Sequence, residues 1–141
     1  MNRRALQNQT PSGAGVEWLL AKARRAIRDA RNSRLSPSLR YQCAYDAALQ
    51  CALAFAAATN DQASFGVHTH RAAFRHLLNG LALEASAWHA TTVWVTHRYL
   101  ERQLGLSVAN EAVAECATNW AALLHAATTK RLTKQRDAAQ L

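Results

Sequence analysis

The stretch Leu35-Ser-Pro-Ser-Leu-Arg-Tyr-Gln-Cys-Ala-Tyr-Asp-Ala-Ala-Leu-Gln50 decides the fold. Ser36 is a strong N-cap, because its hydroxyl can accept a hydrogen bond from a backbone N–H of the first turn. Pro37 suits the first helical position, where no N–H partner is required. Tyr41, Tyr45, Ala48, Ala52 and Phe55 then recur at helical spacing and form one apolar stripe. The spacing predicts a continuous, alanine-rich, buried helix over 37–58, stopped by Thr59-Asn60-Asp61. Arg40 stands beside that stripe, an unusual place for a cation. Three roles are open to it. Its stem can cover apolar neighbours with the head in water, it can pair with an acid such as Asp46, or it can meet phosphate in a dimer cleft.

Working outward, a first helix is expected over about 16–31. Val16, Leu20, Ala23, Ile27 and Ala30 form its buried stripe, and Lys22, Arg24, Arg25, Arg28 and Arg31 cover the remainder. Trp18 falls off the stripe and is a candidate for a partner contact. A third helix starts near Thr69, carries Phe74, Leu77 and Leu78, and is interrupted at Asn79-Gly80. A fourth covers about 83–104 with Trp88, Thr92, Val95 and Tyr99 in register, and Gly105 is placed to end it in a left-handed conformation. Ser107 or Asn110 caps a fifth, in which Val113, Cys116, Trp120, Leu123, Leu124 and Ala127 face inward. Residues 1–13 are expected to be a disordered basic N-terminus, 14–130 one helical domain, and 131–141 a basic flexible tail. The expected architecture is all-α, an up-and-down bundle of four to five helices.

Composition agrees. With 141 residues and half of them apolar, the chain can bury roughly two-thirds of its unfolded surface. Pro37 is the last proline, and no run of alternating β-branched residues reaches strand length. Cys43 and Cys51 lie eight positions apart on one predicted helix, about 12 Å along its axis, too far for a disulfide. Three cysteines in such a pattern suit a reducing compartment, and with no secretory or membrane-spanning run the chain is expected to be cytoplasmic and not membrane-bound. Basic charge lies at the two ends. Residues 1–40 carry nine Lys/Arg against two acids and residues 130–141 four against one, while the stretch between has four against six. Clustering of this kind attracts polyanions.

The Leu-Ser-Pro start, Arg40, the aromatic at 41 and Ala44-Tyr45 followed by small residues resemble the second helix of one branch of the HEPN helical domains. A basic amphipathic helix precedes that segment in the branch, as it does here. A loop and a His-containing helix start follow it, like His68-Thr69-His70. The resemblance covers about residues 16–80 and weakens beyond. It implies a helical bundle that forms a homodimer. Many such domains are RNA-cleaving toxins or defence components paired with nucleotidyltransferase-like antitoxins, and others only bind nucleotides or partners. Cleaving members carry Arg-x4–6-His near the start of the last core helix, and members of this branch often hold an Arg-Asn pair and a downstream Tyr there. The corresponding Thr96-His97-Arg98-Tyr99-Leu100-Glu101-Arg102-Gln103 has neither version, although His97, Arg98, Tyr99 and Arg102 are a related palette.

A literal match to the spacing lies elsewhere, at Arg71-Ala-Ala-Phe-Arg-His76. If the chain is a metal-independent endoribonuclease, Arg71 and His76 are the expected catalytic pair: His moves the proton of a 2′-hydroxyl or leaving oxygen and Arg stabilises phosphate charge. On one helix the two point about 140° apart, so they converge only through a second subunit. Arg24, Arg25, Arg28, Arg31, Arg40, Arg75 and Arg98 are the expected nucleic-acid contacts. His68, His70 and His76 lack a convergent set of further ligands, so no metal is expected, and no cofactor motif is present. His125 is expected to be a satisfied core or interface histidine. Three functions remain: a module associated with RNA or nucleotide, the endoribonuclease, and an interaction domain for an acidic or antitoxin-like protein.

Overall fold

A computed structural model describes residues 13–59, 69–83, 94, 97–99, 101–105 and 109–140. Among them are four helices and no strand: α1 (Gly13–Ala30), α2 (Pro37–Ala58), α3 (Thr69–Leu81) and α4 (Glu111–Ala139). Residues 94, 97–99 and 101–104 are also helical, and precede Gly105 at φ +65°. Gly105 is thus the left-handed stop expected there, its N–H donating to the Glu101 carbonyl at 2.8 Å. The expected positions Trp88, Thr92 and Val95 lie outside the described residues, and so do 1–12 and His68.

The decisive helix runs as its sequence indicates. The Ser36 hydroxyl accepts from the Leu39 N–H at 3.2 Å, and Pro37 opens the first turn. Tyr41, Tyr45, Ala48, Ala52 and Phe55 are all buried. The burial exceeds one stripe, however. Eleven residues of α2 are buried, seven of them alanine, because α2 touches α1, α3 and α4 and keeps little solvent face. Alanine's methyl group holds neighbours away very little, so α1 and α4 close on α2 from different sides. A tight turn reverses the chain between α1 and α2, with the Asn32 side chain accepting from the Arg34 N–H at 3.0 Å.

Arg40 locks one end of the bundle. Its Nε donates to the Ala30 carbonyl at 2.7 Å and its Nη1 to Glu111 Oε2 at 2.7 Å. Ala30 closes α1, where backbone carbonyls lack helical partners and a cation is favoured. Glu111 opens α4, where an acid is favoured for the opposite reason. One guanidinium therefore ties the end of α1 to the starts of α2 and α4. The pairing with Asp46 is corrected: Glu111 is the partner. With a side chain only 12% exposed, Arg40 is a clamp between helix ends rather than a cation facing solvent.

Other expectations shift at the periphery. α3 does not break at Asn79-Gly80. It runs to Leu81, and Gly80 sits inside it because a Cβ there would overlap the Phe55 ring; Ala82, at φ 51°, makes the turn out. Asn110 is the cap of α4, accepting from the Val113 N–H at 2.9 Å. Within α4, Cys116 and Leu123 are exposed, while Thr118 and Thr128 take buried positions. A buried threonine is accommodated because its hydroxyl donates back to the carbonyl four residues earlier, Ala114 for Thr118 at 2.7 Å and Leu124 for Thr128 at 2.6 Å. Tyr99, expected in register with the core, is exposed. The tail expected after Lys130 is instead helix through Ala139. Its Lys, Arg, Gln and Ala are good helix formers, Leu132 packs on the core, and Arg136 pairs with Glu17 at 3.5 Å.

Candidate nucleic-acid interface

The Arg40–Glu111 clamp at one end and the Arg136–Glu17 pair at the other set α4 antiparallel to α1. Between them the two helices meet along a seam. Burial of Ala23, Ile27 and Ala30 against α2 fixes the rotation of α1. That rotation presents Arg24, Arg28 and Arg31, at i, i+4 and i+7, along the flank facing α4. A shallow groove of about 440 Å³ holds all three with Ile27, Ala122 and His125. It continues into a wider groove of about 1160 Å³ that shares Arg24 and His125 and extends past Leu20, Leu132 and Trp18 to Arg136.

His125 sits where the two grooves join. Its Nε2 donates to the Leu20 carbonyl at 3.1 Å, since a carbonyl can only accept. That bond orients the ring and, in the neutral form, makes Nδ1 the acceptor. Trp18 is exposed, as its place off the α1 stripe indicates, with the Lys22 ammonium 4.9 Å from its ring centre. Three of the seven expected contacts, Arg24, Arg28 and Arg31, thus line one surface. Arg25 and Arg75 are exposed but line neither groove. His125 and Arg136 complete the seam. The periodicity that brings Leu132, Arg136 and Ala139 onto one side of α4 was the signal that the helix continues that far.

Arg98 is inside the protein. Its side chain is 16% exposed, its Nη1 makes a loose 3.4 Å pair with Glu101, and its Nε is buried with no hydrogen-bond partner. The guanidinium carbon lies 5.9 Å from the Tyr45 ring centre. The Tyr45 hydroxyl shares a 3.1 Å hydrogen bond with His70 Nδ1, and Phe74 meets the Tyr45 ring edge-on. This polar network joins α2, α3 and the helical residues Arg98 and Glu101. Burial lowers the basicity of His70, the Arg102 charge lowers it further and Asp46 opposes them. Burial likewise raises the Tyr45 hydroxyl, and it pushes Tyr41 up to about 12, with Glu101 adding to the rise. Both phenols stay protonated, so the network is suited to holding helices together. Trp94 and Trp120, edge-to-face at 6.0 Å, pack against the core beside it.

Arg71 and His76 are not brought together. His76 turns toward the end of α2, where its ring lies 5.1 Å from that of Phe55 and its Nε2 is 2.7 Å from the Thr59 hydroxyl. That hydroxyl donates to the Phe55 carbonyl at 2.8 Å, so it accepts from His76. Arg71 is exposed on α3. Among the described residues, no group of three or more His, Cys, Asp or Glu is placed to hold a metal ion, and no helix is long and apolar enough to cross a membrane. Cys43, Cys51 and Cys116 are free thiols, with Cys51 raised to about 12 by burial. No family model, curated protein or solved structure matches the chain.

Proposed function

We propose that this chain is a HEPN-like helical module that associates with nucleic acid or nucleotide through phosphate contacts along the α1–α4 seam. The observation that carries the reading is the alignment of Arg24, Arg28 and Arg31 on one continuous groove, with no carboxylate lining the narrower part. Three guanidiniums on one helix flank present fork-shaped donors matched to phosphate oxygens. The central place of the Leu35–Gln50 segment in a helical bundle supports the HEPN-like assignment. A toxin–antitoxin or defence setting follows from that assignment. A homodimer belongs to the same reading, and exposed Leu39, Leu104 and Leu123 are apolar surface that a second copy can cover.

RNA binding measured from about 50 to about 200 mM salt tests the reading, since each neutralised phosphate contributes to the slope of affinity against salt. A steep decline is expected. A flat dependence, or binding only to an acidic protein, overturns it.

A further inference from the structure

Resting on that reading, we infer that the seam takes a single strand, not a duplex, with a base stacked on Trp18 and the adjoining phosphates on Arg24, Arg28 and Arg31. The observation that carries this is the chemistry of the lining, which changes along its length. The narrow part is cationic, with Arg24, Arg28 and Arg31 rising about 6 Å and about 4.5 Å along α1. The wide part is largely apolar and carries Trp18 with 57% of its surface exposed.

An exposed indole next to a ladder of cations is the combination single-strand binders use. Guanidiniums track the backbone and an aromatic ring accepts the face of a base. A duplex offers no base face, because its bases are already stacked on one another. The Lys22 ammonium lies over one face of the Trp18 ring, 4.9 Å from its centre, so a base takes the opposite face. The Glu17 carboxylate also lines the wide part, paired with Arg136 at 3.5 Å. The backbone is therefore expected to follow the narrow part and the base the wide one. His125 sits at the junction with Nδ1 able to accept from a ribose hydroxyl or a base amine.

The test uses the full chain, a fluorescently labelled single-stranded RNA of about 12 nucleotides and the same sequence as a duplex, followed by anisotropy. The single strand is expected to bind at least about tenfold more tightly than the duplex. Trp18→Ala is expected to cost about tenfold for the single strand, little for the duplex, and to leave the salt slope unchanged. Tryptophan emission should be quenched by the single strand in the unmodified chain and much less in Trp18→Phe. Equal affinity for both forms, or an undiminished affinity of Trp18→Ala for the single strand, overturns the inference while leaving phosphate binding intact. Failure to bind either form, or retention of an acidic polypeptide in preference to RNA, overturns the functional reading beneath it.

Discussion

Two groups of arginines in this protein have opposite fates. Arg40 and Arg98 point into the bundle, where Arg40 spans three helix ends and Arg98 lies against Tyr45 with a loose pair to Glu101. Arg24, Arg28 and Arg31 point along an open seam. Nothing in residue type separates the groups. What separates them is whether the surrounding helices present acceptors. Arg40 stands where α1 ends and α4 begins, so a free carbonyl and a first-turn carboxylate are both within reach. Arg24 stands mid-helix, where backbone carbonyls are already bonded, while Arg28 and Arg31 lie in and just past the last turn of α1, whose Ala30 carbonyl is taken by Arg40; Glu17, the carboxylate lining the wide groove, is paired with Arg136. Their donors remain for a ligand.

The largest effect is expected from Arg40. Arg40→Met keeps a stem of similar bulk but leaves the Ala30 carbonyl and Glu111 without the guanidinium. A loss of about 2 kcal/mol is expected, as for a charge-assisted hydrogen bond in a partly buried setting. Glu111→Gln should cost less than about 1 kcal/mol, because that carboxylate is largely exposed and its pair is screened. Urea unfolding of the two variants gives the comparison directly. Equal losses would place the energy in the ion pair, and the clamp would then not be a carbonyl cap.

A smaller effect separates Arg71 from His76. His76→Ala removes a hydrogen bond to Thr59 and a contact with Phe55, for about 1 kcal/mol. Arg71→Ala is a surface change expected within about 0.5 kcal/mol. In a double-mutant cycle the two should add to within about 0.5 kcal/mol. A larger coupling would show that the two side chains interact, against their separate placement on α3.

The buried group also predicts a pH response. His70 is held below its ordinary value of 6.5, first by burial and then by Arg102, with Arg98 adding to the same effect. The unfolded chain therefore binds protons at this ring more readily than the folded one. The contribution is complete above pH 6.5 and is lost as pH falls from there toward the lowered folded value. Asp46, raised by burial, acts with the opposite sign, its contribution present at low pH and lost as pH rises. Tm should drop between about pH 7.5 and about pH 5.5, and His70→Gln should flatten that drop. An unchanged drop in the variant would assign the effect to other histidines.

How far the sequence could be read depends on whether the deciding neighbour is local. Ser36, Pro37, Asn110 and Gly105 act within a turn of themselves, and the ends they mark stand where their chemistry places them. The five-residue stripe of α2 is legible for the same reason. Arg40's partner was not, because Glu111 lies 71 positions away. Gly80 reads as a breaker until the Phe55 ring is set against it. Cys116 and Leu123 read as core by hydrophobicity, yet Thr118 and Thr128 take buried positions because their hydroxyls bond within the helix. Of the candidate site, the α1 arginines were legible as a basic cluster, though Arg25, which lines neither groove, was counted with them. The groove was not: its narrow part needs Ala122 and His125 of α4 set against α1, and its wide part needs α4 carried as helix through Arg136.

The smallest effect on stability and the most specific effect on binding belong to the seam. Arg24→Gln, Arg28→Gln and Arg31→Gln each remove a charge whose head group is exposed, so each should change stability by no more than about 0.5 kcal/mol. The three together should shift Tm less than Arg40→Met alone. If each contacts one phosphate, the triple variant should lower the slope of single-stranded RNA affinity against salt by about 2, while Arg25→Gln, exposed on the same helix but outside both grooves, should change it little. Arg25 is the sharper control, because it matches the others in charge, helix and exposure and differs only in position. A chain that binds RNA by overall charge would lose the same increment at Arg25 as at Arg24. A chain that binds through the seam loses it only where the helix faces α4.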